Sequence, residues 1–245
     1  MNYSIQSILK EESSTNTLRN NYYKILMGIR ILFLLKILYN IICLRKKQQR
    51  MNKLKIICIG DSLTYGYRVR RSKTWINLSE KELKINIKNK GISGDTTGGM
   101  LARFREDVIS KKPKIVFIMG GSNDIITGAN LGLPQSNIMA MVHQARGNMI
   151  TPILGLPTKI DVDEVIDEWS SFADYEYISK QIEKYNNWLK KFSKAFEIDY
   201  IDFNTAINKL SDKEFHSIYL DGLHFNDKGH ELMARIFVEK IKTYL

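Results

Sequence analysis

Two cysteines and four prolines are all that 245 residues contain of either. Cys43 and Cys58 lie in unlike settings. Cys43 sits in a basic, apolar N-terminal stretch, and Cys58 sits inside the run Leu54 to Ile59 that opens the main body. A bridge between them would tie an appendage to a buried strand, so the pair reads as two free thiols. That excludes a disulfide framework and fits a reducing compartment. No Gly-Lys-Ser/Thr closes any glycine-rich stretch, which excludes a phosphate loop. No Gly-x-Ser-x-Gly surrounds Ser62, which excludes an ordinary nucleophile elbow. Internal repeats and low-complexity tracts are absent. The formal net charge is +11. Residues 1–50 carry nine Lys/Arg against two Asp/Glu, whereas residues 51–245 carry 28 against 24. The mildly basic body gives no support for nucleic-acid binding.

The charge step divides the chain into an N-terminal extension, 1–50, and a body, 51–245, long enough to bury its own core. Tyr22 to Leu44 is strongly apolar, is closed by Arg45-Lys46-Lys47, and has the length of a membrane span. Lys24, Arg30 and Lys36 interrupt it about 120° apart around a helix, so they define no single polar face. Three readings stay open: a membrane anchor, an interfacial helix, or an upstream extension before a start at Met51. No small-x-small cleavage site follows, which disfavours a removable signal. An anchor with a basic cluster at 45–50 places the body on the cytoplasmic side, and so does a start at Met51; the expectation is a cytoplasmic enzyme.

In the body, short apolar runs alternate with longer amphipathic ones. The spacing predicts strands over Lys55–Ile59, Ile85–Asn89, Lys114–Met119, Ile150–Leu154 and Asp199–Ile201. It predicts helices over Lys73–Leu83, Gly98–Ser110, Gln135–Asn148, Tyr175–Phe196 and Asp227–Tyr244. Such alternation builds a parallel sheet covered by helices on both faces, with ligands bound beyond the carboxyl ends of the strands. Thr158–Glu176 is the one long irregular segment. It reads as a solvated acidic loop or short helix, or as a lid with Trp169, Phe172 and Tyr175 on its apolar side.

Four motifs fall at those strand ends or near the C-terminus: Gly60-Asp61-Ser62-Leu63, Ser93-Gly94-Asp95, Gly121-Ser122-Asn123-Asp124 and Asp221-Gly222-Leu223-His224. They supply a hydroxyl, a backbone N–H in a Gly-rich turn, a carboxamide, and a carboxylate with an imidazole. Those are the parts of an acyl-transfer site. Ser62 is the candidate nucleophile, His224 its base and Asp221 the orienter of the ring. The N–H groups of Ser62 and Gly94 and the amide of Asn123 are the candidate oxyanion donors. Each motif alone also fits a turn or a helix cap; their joint occurrence at strand ends does not. His143, His216 and His230 show no comparable partner in the sequence. The expected substrate is a small acyl ester or thioester, with a carbohydrate O-acetyl ester as the alternative and a non-catalytic, membrane-tethered binding module as the rival from another class.

Ile59-Gly-Asp-Ser-Leu-Thr-Tyr-Gly66, Gly91-Ile-Ser-Gly-Asp-Thr96, Gly120-Gly-Ser-Asn-Asp124 and Asp221-Gly-Leu-His-Phe-Asn226 resemble the blocks of the SGNH (GDSL) hydrolase family. The branch they resemble most is that of the bacterial arylesterases, thioesterase I and lysophospholipases. The resemblance implies a flavodoxin-like three-layer α/β/α sandwich with a five-stranded parallel sheet. It implies Ser62, Gly94, Asn123 and His224 as the name-giving positions, with Asp221 completing a triad. It implies no metal and no organic cofactor. Residues 1–50 lie outside the family domain, and segment 158–176 has no counterpart in it.

Overall fold

In the computed structural model the described residues are 55–245 apart from Phe172, together with 27, 30–43 and 45. The chain divides into two units, Met1–Arg50 and Met51–Leu245. In the first, residues 30–43 are helical; the rest of the apolar stretch 22–44, beyond 27, lies outside the described residues. Among the described residues no helix is long and apolar enough to cross a membrane.

The second unit holds five parallel strands in the order β2-β1-β3-β4-β5: β1 Lys55–Gly60, β2 Asn86–Gly91, β3 Ile115–Met119, β4 Thr151–Gly155 and β5 Asp199–Ile201. Parallel neighbours need crossovers, and helices supply them: α1 Ser62–Tyr65, α2 Trp75–Leu83, α3 Thr97–Asp107, α4 Ser122–Ile126, α5 Gly132–Gly147, α6 Asp167–Ser170, α7 Tyr175–Ala195, α8 Asn204–Ile207, α9 Asp212–His216 and α10 Asp227–Lys242. Alternation along β1 sends Ile56 and Cys58 to one face and Ile57 and Ile59 to the other. On the first face they meet Trp75 of α2 and Phe237 of α10. On the second they meet residues of α3, α5 and α7, among them Phe104, Val142 and Leu189. All five residues of β3 are buried, as expected of a strand covered on both sides. Pro152 lacks an N–H, and β4 tolerates it because pairing with β5 begins only at Ile153.

The register fixes the height of the site. Gly60 pairs with Gly91 on one side and with Met119 on the other, so β1, β2 and β3 end in one row. A Cβ on Gly60 would lie 2.5 Å from the Met119 carbonyl oxygen, and one on Gly91 would lie 2.2 Å from the Tyr65 nitrogen. Only glycine lets neighbouring segments approach these two positions so closely. Ser62, Gly94 and Asn123 follow these three ends, beside the boundary between β1 and β3 where the strand order reverses and a crevice opens.

Segment 158–176 contains a short helix, as one of its sequence readings allowed. It holds a 3₁₀ turn at Val162–Glu164 and the short helix α6 before α7 begins at Tyr175.

Candidate active site

Ser62 opens α1 directly after β1. The buried Asp61 caps it, its carboxylate accepting the Leu63 N–H at 3.1 Å. From the other end of the sequence, Asp221 and His224 arrive in a loop that fastens itself. Asp221 Oδ1 accepts the backbone N–H of Leu223 (3.1 Å) and of His224 (2.8 Å), while Oδ2 lies 2.8 Å from His224 Nδ1. Gly222 has φ +80°, and a Cβ there would meet the Asp161 carbonyl oxygen at 2.7 Å. His224 Nε2 then lies 3.0 Å from Ser62 Oγ, across 162 residues. With the Nδ1 proton directed at Asp221, the Nε2 lone pair faces the hydroxyl.

Burial works to raise the pKa of Asp221. The hydrogen bond and charge of the His224 ring and the two backbone N–H groups outweigh it and hold the carboxyl at about 2. The group is thus a carboxylate wherever the imidazole can act as a base. Asp61 behaves oppositely: burial pushes it up to about 6, against the Leu63 N–H and the charge of His224.

The third corner is built around Asn123. Its Nδ2 donates to the Asp95 carbonyl at 2.9 Å, which fixes the amide and leaves its second N–H to point elsewhere. Gly94 has φ +79° with nothing within 4 Å of where a Cβ would sit, so backbone conformation rather than crowding asks for glycine. The loop is clamped from behind. Arg103 holds Asp95 at 2.7 Å and Asp107 at 2.8 Å, and the buried Asp124 accepts both the N–H (2.8 Å) and the hydroxyl (2.6 Å) of Thr97.

These residues surround a cavity of about 280 Å³. Ser62, Gly94, Asn123 and His224 line it, and Tyr67, Ile126, Ile160, Trp169, Tyr175, Ile182 and Leu223 supply an apolar wall. Tyr67 and Trp169 flank the His224 ring, with centroids at 4.4 and 6.0 Å. Four of the five expected residues therefore meet at one cavity, and the fifth, Asp221, reaches it only through the His224 ring that it holds. Trp169 and Tyr175 of segment 158–176 reach it, while Phe172 lies outside the described residues.

One sequence expectation needs correction. His216 does have a carboxylate partner: Asp161 Oδ2 lies 2.8 Å from its Nδ1 and raises its pKa. The pairing joins positions 55 apart in separate loops, so no local spacing announces it. The last helix is capped by Asn226, whose side chain accepts the N–H groups of Lys228 and Gly229. Of the other histidines, His143 is exposed and stacks edge-on against Phe196, and His230 is buried.

His230 Nδ1 accepts the Trp75 N–H at 3.2 Å. Burial lowers its pKa from 6.5 to about 4, with Asp227 opposing and His224 reinforcing the shift. Between those values the unfolded chain binds this proton and the folded one does not, so stability falls as pH drops from about 6.5 to about 4. Asp61 runs the other way, losing stability as pH rises from about 4 to about 6. His230→Gln removes only the first contribution. Its deficit against wild type should shrink by about 2–3 kcal/mol between pH 7 and pH 4, read from urea midpoints. Parallel curves for the two proteins would refute the assignment.

The fold and the site define a carboxylic ester hydrolase. Residues 58–232 match the GDSL-like Lipase/Acylhydrolase family, and the chain belongs to it. An acetylxylan esterase of Geobacillus stearothermophilus is 28% identical over 171 residues, covering 65% of this chain and 74% of its own. An arylesterase of Vibrio mimicus is 34% identical over 105 residues, 41% of this chain, and the match spans 52% of its length. Among solved structures, a member of the lipolytic protein G-D-S-L family from Veillonella parvula DSM 2008 has a TM-score of 0.67 at 25% identity, over 77% of this chain and 98% of that one.

Proposed function

We propose that Ser62 is the nucleophile of an acyl-enzyme mechanism acting on small esters with an apolar acyl group. The observation that carries this is the 3.0 Å contact of His224 Nε2 with Ser62 Oγ, while Asp221 holds the other ring nitrogen. Ser62 Oγ attacks the ester carbonyl carbon as His224 takes its proton. The N–H groups of Ser62 and Gly94 and the Asn123 amide receive the negative charge on the carbonyl oxygen. The imidazolium then protonates the leaving alcohol or thiol as the bond to the carbonyl carbon breaks. Water, deprotonated by the same ring, releases the acid and restores Ser62.

The apolar cavity wall favours an acyl chain over a bare acetyl group. Each added methylene should raise kcat/KM about fourfold from p-nitrophenyl acetate to hexanoate. The relative named as an acetylxylan esterase supports a second reading, a sugar O-acetyl ester. A panel that pairs this ester series with acetylated xylose distinguishes the two: a flat or falling series with fast release from the sugar favours the second. A fluorophosphonate probe should label Ser62, identified by peptide mass; a folded protein that is not labelled overturns both. Where residues 22–44 act as a membrane anchor, the basic cluster at 45–50 supports a body on the cytoplasmic side.

A further inference from the structure

Asp221 carries more hydrogen bonds than orienting His224 requires. Its Oδ1 is occupied by the two backbone N–H groups of its own loop. Its Oδ2, the oxygen nearer His224 Nδ1, also accepts the indole Nε1–H of Trp169 at 3.2 Å. Trp169 lies 52 positions upstream, on α6, within the one segment that the four motifs leave unexplained. The same side chain walls the cavity and stands 6.0 Å from the His224 ring. Its segment is fastened to the loop at a second point, where the Asp161 N–H donates to the Gly222 carbonyl at 2.9 Å. At the outer edge, Glu168 beside it faces Arg68 at 3.8 Å.

We infer that Trp169 is a positioning residue for the Asp221–His224 pair, joining the substrate-facing wall of the cavity to the carboxylate that orients the base. The inference rests on the catalytic reading of Ser62, His224 and Asp221. The physical argument has two parts. An N–H on Oδ2 restricts rotation of the carboxylate, and so fixes the direction of the bond to Nδ1. Its dipole also weakens the negative potential at that oxygen, so Asp221 holds an imidazolium less firmly than it would alone. Three other titratable groups act on this pair: Asp61 beside Ser62, His230 of α10 near His224, and Tyr175 of α7 near Asp221. All three side chains are retained when residue 169 is replaced, so a difference between variant and wild-type profiles reports the loss of the indole.

Trp169→Phe keeps an aromatic ring in the wall and removes the donor. In the full chain it should lower kcat about five- to tenfold, with KM within about twofold. The acidic limb of kcat/KM should move to higher pH by about half a unit, because the imidazolium is now held more firmly. A change confined to KM would make Trp169 a cavity wall only and overturn the inference. So would wild-type kcat with an unmoved acidic limb. The wild-type protein offers a readout that needs no variant to fold. The chain has three tryptophans, and the indole ¹⁵N–¹H signal of Trp169 should shift with the midpoint of that acidic limb. An indole signal that is flat through that range overturns the inference as well. Failure of the catalytic reading looks different: Ser62 goes unlabelled by the fluorophosphonate, whatever the indole signal does.

Discussion

Replacing Ser62 by Ala should lower kcat/KM for p-nitrophenyl hexanoate by at least about three orders of magnitude. The substitution removes the one oxygen that lies 3.0 Å from His224 Nε2 and leaves the cavity, Asn123 and the backbone donors in place. Substrate still binds, but the only remaining nucleophile is water, so the residual rate reflects the oxyanion donors alone. The protein should fold as wild type does, because α1 takes its cap from Asp61 and not from Ser62. His224→Ala should cost a similar factor, and the double variant little more than either single one, since a nucleophile and its base act as a unit. Stopped or steady-state hydrolysis assays on purified, folded variants measure all three. Wild-type rates in folded Ser62→Ala would end the assignment of the nucleophile.

The largest stability effect should come from a residue that touches no substrate. Trp75 is fully buried between α2, α10 and the sheet, its ring packed against Phe117 (5.5 Å), Phe237 (4.9 Å) and Phe203 (6.3 Å). Its indole N–H donates to the Leu63 carbonyl at 3.0 Å, one residue beyond Ser62. Trp75→Ala opens a cavity among rings that cannot collapse to fill it, and should cost about 3–5 kcal/mol in urea unfolding. Trp75→Phe retains most of the packing and leaves the Leu63 carbonyl without that donor, so it should cost less. It should nevertheless lower kcat, because the bond supports the turn that presents Ser62. A Trp75→Ala variant with an unchanged urea midpoint would show that this face of the sheet is not packed as described.

Much of this architecture is legible in the chain because burial writes itself as periodicity. Ile56 to Ile59 and Ile115 to Met119 are continuous apolar runs of strand length, and Leu232, Ile236, Phe237 and Ile241 keep the spacing of a helix. β5 has the expected bounds, and the other four strands differ from expectation by one or two residues at an end. β2 runs on to Gly91 because its pairing with β1 does, even though Lys90 and Gly91 carry no apolar signal. Helices α1, α4, α8 and α9 have four or five residues each, too short to show a period. The site divides in the same way. Ser62, Gly94, Asn123, Asp221 and His224 sit in short motifs whose residue types announce acyl-transfer chemistry. Their supports do not. Asp124 with Thr97, Arg103 with Asp95, and Trp169 with Asp221 are pairs made by the fold across 27, 8 and 52 positions. No spacing rule selects them from the many charged and polar residues nearby. Asp61 stood inside the first motif, but its burial, and hence its proton uptake near pH 6, depends on what packs around it.

The two halves of the site have unequal mechanical backing. Gly60, Gly91 and Met119 form a single ledge of paired backbone, and everything downstream of it inherits the stiffness of the sheet centre. The Asp221–His224 loop has no strand of its own beyond the Tyr219–Phe225 bridge. It leans instead on its own carboxylate and on a segment that also lines the acyl cavity. Warming should therefore slacken the proton-handling side before the ledge that carries the hydroxyl, so that turnover fades while the molecule is still folded and returns on cooling.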